Sequence, residues 1–142
     1  MTESGETGDQ RPTLVADGTG LVGSQFVLEG PAPSTQYVAV FEDDGETGYF
    51  YGIDSTLAEQ PILDALHVYN VNSVTDRDAP SRFQIVWSGD GMKVALYVNG
   101  YPHAAFDFVS RRGYCRTGFP PPSPGFSSES HDWDDAVLRD FE

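Results

Sequence analysis

Cysteine occurs once in this chain, at Cys115, so no intramolecular disulfide can staple the fold. Basic residues are scarce as well: 8 Lys and Arg stand against 22 Asp and Glu, a formal net charge of -14 in 142 residues. Such a chain is repelled by nucleic acid and by anionic membrane surfaces and is drawn to basic partners. No apolar run approaches the ~20 residues that cross a bilayer as a helix. The opening MTESGETGDQ has neither the basic nor the apolar region of a secretory signal. The expectation is a reducing, cytoplasmic setting. There is no G-x-S-x-G, no phosphate-cradling glycine loop and no dinucleotide fingerprint. No cofactor is expected, and the sequence reads as a non-enzyme more readily than as an enzyme.

What is present points to a folded domain rich in strands. Apolar residues make up 39 % and aromatics 13 % of the chain, gathered into periodic segments rather than spread thinly. Fifteen Gly and ten Pro imply many turns and few long helices. Leu14 to Ala16 opens a short strand that Asp17-Gly18-Thr19-Gly20 would end, and Gln25 to Leu28 is a second, stopped by Gly30 and Pro31. Tyr37 to Phe41 and Tyr49 to Ile53 flank an acidic, glycine-bearing turn and read as a β-hairpin. Phe83, Ile85 and Trp87 alternate with Gln84, Val86 and Ser88 up to Gly89-Asp90-Gly91. Met92 to Val98 alternates in turn, Asn99-Gly100 suits a two-residue type I′ turn, and Ala104, Phe106 and Phe108 share one face of a third strand. The expectation is a three-strand antiparallel meander with Phe83, Ile85 and Trp87 on its core face.

Two segments suggest helix. Asp54-Ser55-Thr56 supplies N-cap residues, and Glu59 follows Thr56 at capping-box spacing. Ile62, Leu66 and Tyr69 then fall on one helical face. Trp133, Val137 and Phe141 repeat that spacing, with Ser130 or Asp132 as cap. The expected fold is therefore α+β: an antiparallel twisted sheet of about five to seven strands with one short central helix and a short C-terminal helix. Residues 1–11 read as a mobile tail, 12–117 as a single α+β domain, 118–130 as a Pro/Ser-rich connector and 131–142 as the C-terminal helix.

Four stretches stand out together: FEDDGETGYFYGID at Phe41 to Asp54, ILDALHVYNV at Ile62 to Val71, NGYPHAAFDF at Asn99 to Phe108, and RRGYCRTGFPPP at Arg111 to Pro122. In this order they resemble a family of small bacterial proteins known as a domain of unknown function. The resemblance implies a bacterial origin and one α+β domain over the middle and later chain. It carries over no catalytic or binding residue.

The residues themselves offer three clusters. Glu42, Asp43, Asp44 and Glu46 crowd a hairpin turn that is expected to need none of them to fold. The spacing of a calcium loop is absent, so no metal is assigned, and the turn reads either as solvated surface or as a docking knob for a basic partner. Arg111, Arg112 and Arg116 gather three of the eight basic residues. They form either an anion-binding pocket or an internal set that neutralises nearby carboxylates. Cys115, flanked by arginines, could pair with His103 as nucleophile and base, yet no cysteine-enzyme signature surrounds it. No catalytic residue is assigned. The reading is a non-catalytic acidic bacterial binding protein, such as an immunity protein or inhibitor covering a basic toxin surface. One alternative is a small enzyme or ligand-binding domain using the arginines with Cys115 and His103. The other is a structural or self-associating domain.

Overall fold

A computed structural model describes residues 11–120 and 130–141. Among the described residues there are nine strands: β1 (Thr13–Gly20), β2 (Phe26–Pro31), β3 (Tyr37–Asp43), β4 (Thr47–Asp54), β5 (Ile62–Asn70), β6 (Ser81–Trp87), β7 (Lys93–Val98), β8 (Tyr101–Asp107) and β9 (Arg112–Cys115). They form two antiparallel sheets, a five-stranded one ordered β1-β6-β7-β8-β9 and a four-stranded one ordered β2-β3-β4-β5. The sheets pack face to face. β1 runs beside β2 along one margin and β9 beside β5 along the other. The antiparallel expectation holds, but one sheet with a helix against it becomes a two-sheet sandwich.

The expected helix around Ile62 to Tyr69 is the edge strand β5. Its alternate residues Asp64, Leu66 and Val68 are buried. An aspartate in a core-facing position conceals the period of two and leaves the helical spacing in view. Asp54 does not cap a helix. Its Oδ1 accepts the Thr56 backbone N–H at 3.0 Å and the Thr56 hydroxyl at 2.6 Å, which ends β4 in a turn. The expected turn at Asp17 to Gly20 lies within β1. β2 likewise continues through Gly30 and Pro31, because Pro31 sits on an edge strand where its missing N–H costs little. The C-terminal helix is a 3-10 segment, Asp135–Phe141. Asp134 caps it rather than Ser130 or Asp132, its Oδ1 accepting the Ala136 N–H at 2.9 Å. The expected tail over residues 1–10 and most of the connector, 121–129, lie outside the described residues.

The meander is β6, β7 and β8, with Val98 opposite Tyr101 across Asn99-Gly100. Both turn residues have positive φ, 53° and 80°, as a type I′ turn requires. Phe83, Ile85 and Trp87 are fully buried. Phe83 stacks on Phe41 of the facing sheet with ring centroids 4.9 Å apart. Trp87 Nε1–H donates to the Gly30 carbonyl at 2.9 Å, joining the two sheets by a buried hydrogen bond. Glycines in each sheet receive large residues from the other. A Cβ on Gly30 would lie 2.7 Å from Ile85, and one on Gly113 would lie 2.6 Å from Leu66.

The outer face of the five-stranded sheet is covered near its middle. Phe141, Trp133 and Val137 pack on Ala95, Ala105, Val86 and Tyr97. Lys93 Nζ donates to Asp140 at 2.6 Å. The C-terminal segment thus docks on its own chain. Trp87→Ala should cost about 3–5 kcal/mol in denaturant unfolding, since it leaves a cavity and orphans the Gly30 carbonyl. An unchanged midpoint would place that indole outside the core.

Candidate functional site

The acidic turn between β3 and β4 divides its carboxylates by role. Asp43 is 1 % exposed. Its Oδ2 accepts the Gly23 N–H at 2.7 Å and the Tyr69 hydroxyl at 2.6 Å, and its Oδ1 accepts the Gly45 N–H at 2.8 Å. Burial and then the adjacent carboxylate push the Tyr69 phenol far above its ordinary pKa, so it stays a donor. Asp43 therefore ties three segments together. The expectation that the turn needs none of its carboxylates fails at this residue. Asp44 is exposed, and its Oδ1 accepts the N–H groups of Glu46 and Thr47 at 2.9 and 2.8 Å, holding its pKa below the usual carboxylate value. Glu46 is exposed and Glu42 half-buried. Glu42 Oε1 accepts the Tyr51 hydroxyl at 3.0 Å.

Cys115 and His103 lie on neighbouring strands but do not form a dyad. The Cys115 thiol is buried and donates to the His67 backbone carbonyl at 3.2 Å. Burial raises its pKa, the opposite of an activated nucleophile. His103 instead lines a cleft of about 330 Å³ with Val22, Val68, Ser81, Val98 and Tyr101. Burial, then the nearby Arg116, hold its pKa below the ordinary 6.5. The arginines do not converge either. Arg116 lies over the Trp133 ring at 4.0 Å and the Tyr101 ring at 4.6 Å, with Asp135 at 3.8 Å. Arg112 lies over Tyr114 at 4.9 Å and donates to Ser130 Oγ at 3.4 Å. Arg111 is exposed in the turn before β9.

One buried pair escaped the sequence reading. Asp64 and His131 have side chains 2 % exposed, with His131 Nε2 2.7 Å from Asp64 Oδ2. His131 Nδ1 lies 2.6 Å from the Pro120 carbonyl oxygen, which can only accept, so Nδ1 carries a hydrogen. Both ring nitrogens are thus committed inside the protein, and none remains to act on a substrate. Burial alone would neutralise the ring. The hydrogen bond and charge of Asp64, helped by the Pro120 carbonyl and opposed by Arg112, outweigh burial and raise the His131 pKa above 6.5. The backbone joins in: Cys115 N–H donates to the His131 carbonyl at 2.8 Å, and His67 N–H donates to the Phe119 carbonyl at 3.0 Å. Among the described residues, no group of three His, Cys, Asp or Glu is placed to hold a metal ion.

The chain matches a family described as "Uncharacterized protein conserved in bacteria (DUF2251)" over residues 20–142. It belongs to that family. A protein of Haemophilus influenzae, described as an uncharacterized protein, is 46 % identical over 86 residues. That stretch covers 61 % of this chain and 53 % of the relative, so the chain spans about half the length of the curated relative it matches. No solved structure matches. The family match takes in the acidic turn, the Asp64–His131 pair and the 3-10 segment, and omits nearly all of β1.

The outward face of the four-stranded sheet completes the inventory. Cross-strand register sets Val27, Glu42, Tyr49 and His67 in one row and Glu29, Val40, Tyr51 and Ala65 in the next. Pro31, Val38, Ile53 and Ile62 form the third. Val27 is 56 % exposed, and Phe119, beside His67, is 57 % exposed. All four strands lie in a stretch without cations. Between Arg11 and Arg77 the chain has ten acidic residues and no Lys or Arg. This gap is readable in the sequence but gains meaning only once the stretch is known to form a whole sheet.

Asp43→Ala should lower stability by about 2–4 kcal/mol, because it orphans buried donors, whereas Asp44→Asn with Glu46→Gln should leave the fold intact. Equal melting of both variants would contradict these roles. The His131 shift carries a sign. Its folded pKa is raised, so its contribution is complete below 6.5 and is lost as pH rises through the folded value. The melting-temperature gap between wild type and His131→Ala should therefore be widest below about pH 6.5 and shrink as pH rises above it. A constant gap would show that the imidazolium form does not hold this segment.

Proposed function

We propose that this protein is a non-catalytic binding protein for a basic protein surface, of the kind an immunity protein or toxin inhibitor provides. The observation that carries this reading is the confinement of all Lys and Arg outside residues 12–76, which leaves β2 to β5 without a cation. A sheet that carries only negative charge attracts and orients a positively charged surface, and charges at the rim raise the association rate. Glu42, Asp44 and Glu46 are the partner-facing carboxylates of the turn, while Asp43 serves the fold. A cytoplasmic setting suits the lone buried thiol.

Support also comes from chemistry already committed elsewhere. The Cys115 thiol is held by a backbone carbonyl, and the His131 ring is bonded at both nitrogens. Neither is poised for turnover. Affinity capture from a bacterial lysate, at low and then moderate salt, tests the reading. A basic protein retained at low salt and released as salt rises is expected. Retention of acidic proteins or nucleic acid instead would sink it. Cys115→Ser, correctly folded, should retain the same partner, and loss of capture in that variant would favour thiol chemistry.

A further inference from the structure

The two sheets treat their outer faces differently. The five-stranded sheet covers its own with the 3-10 segment, whereas the face of β2 to β5 keeps Val27, Val40, Tyr49, Tyr51 and Ile53 partly or largely open. Glu29 and Glu42 are the charged residues in its three rows. We propose that this face is a docking surface for a basic protein segment that presents arginine, received by Tyr49, Tyr51 and Glu42. The inference rests on the reading above and adds a location and a kind of cation.

Arginine rather than lysine follows from the chemistry of the face. Tyr49 and Tyr51 lie nearly parallel, with ring centroids 6.0 Å apart and an interplanar angle of 23°. Tyr51 donates to one oxygen of Glu42, at 3.0 Å, and the Glu42 side chain stays half-open to solvent. Burial and Glu42 raise the Tyr51 pKa well above its ordinary value, so the phenol remains a donor that steadies the carboxylate. A planar guanidinium stacks on an aromatic ring and donates to a carboxylate at the same time; a strongly hydrated ammonium does this less well.

The protein already uses this arrangement on its opposite side. There the Arg116 guanidinium lies over Trp133 and Tyr101 with the Asp135 carboxylate at its edge. The open face has the aromatics and the carboxylate of that constellation but not the arginine. Valine and isoleucine around the tyrosines would keep water from the contact. A second copy is the poorer occupant, because pairing two such faces brings carboxylates together with no cation between them.

The test is a titration of the isotope-labelled 142-residue chain at low ionic strength with two capped peptides. One carries arginine wherever the other carries lysine. The arginine peptide should bind about five- to tenfold more tightly. It should shift the amides of Val40, Glu42, Tyr49 and Tyr51 most. Glu42→Gln should weaken it severalfold, while Asp78→Asn, which removes the same charge elsewhere, should not. Equal affinity of the two peptides, or shifts confined to another surface, would overturn this inference and leave the general reading standing. Failure of both peptides to bind would overturn both. Concentration-dependent shifts of the same amides without peptide would assign the face to a second copy instead.

Discussion

A carboxylate facing the core of an edge strand has to be satisfied, and that need organises one whole margin of the molecule. Asp64 sits where β5 has no further strand beside it in its own sheet. Water is excluded there, and an unpaired buried charge is costly. The chain answers by bringing His131 to Asp64 and by setting Thr117 and Phe119 against the open edge at His67. Thr117 Oγ1 and Cys115 Sγ both donate to the His67 carbonyl, at 2.6 and 3.2 Å. His131 in turn holds Pro120, and Asp132 pairs with Cys115 in a parallel bridge. The middle of the edge, at His67, is thereby occupied by the chain itself, which hinders strand addition there. Just beyond Asp132, Trp133 and the 3-10 segment lie on the outer face of the five-stranded sheet.

The two hairpins were legible because their signals are local. Asn99-Gly100 declares its own turn type, and the alternation on either side needs no tertiary knowledge. The strand β5 was not legible because its pattern contains Asp64, whose partner is 67 residues away in the chain. Gly18 and Gly20 read as turn residues, yet they are strand residues against which Leu28 and Phe26 pack, with a Cβ at either position 3.4 Å from those side chains. The division into two sheets follows from which strands exchange hydrogen bonds, and composition holds no trace of that. At the acidic turn, charge alone could not separate Asp43 from its neighbours. Its burial depends on Gly23 and Tyr69, which approach from different loops and strands.

The outcome is a division of labour between the sheets. The five-stranded sheet holds the three Lys and Arg residues of the strands, Arg82, Lys93 and Arg112, and pairs two of them with carboxylates. Arg82 is paired with Asp17 across β1 and β6 at 2.6 Å, and Lys93 with Asp140. The four-stranded sheet spends its polar groups on tyrosine–carboxylate contacts: Tyr51 with Glu42 outside, Tyr69 with Asp43 inside. Its outer face joins the aromatic area of Tyr49 and Tyr51 to the negative charge of Glu29 and Glu42.

Because β2 to β5 hold carboxylates and no Lys or Arg while Arg82, Lys93 and Arg112 lie in the facing sheet, charge is spread unevenly across the sandwich, as in a dipole. A body with such a dipole feels a torque, as well as a pull, in the field of a charged surface. It turns once within about a Debye length, roughly 8 Å at physiological ionic strength. The cation-free sheet would therefore already lead when contact with a positive surface begins. The many encounters in which a randomly oriented molecule presents the wrong side would be fewer from the start.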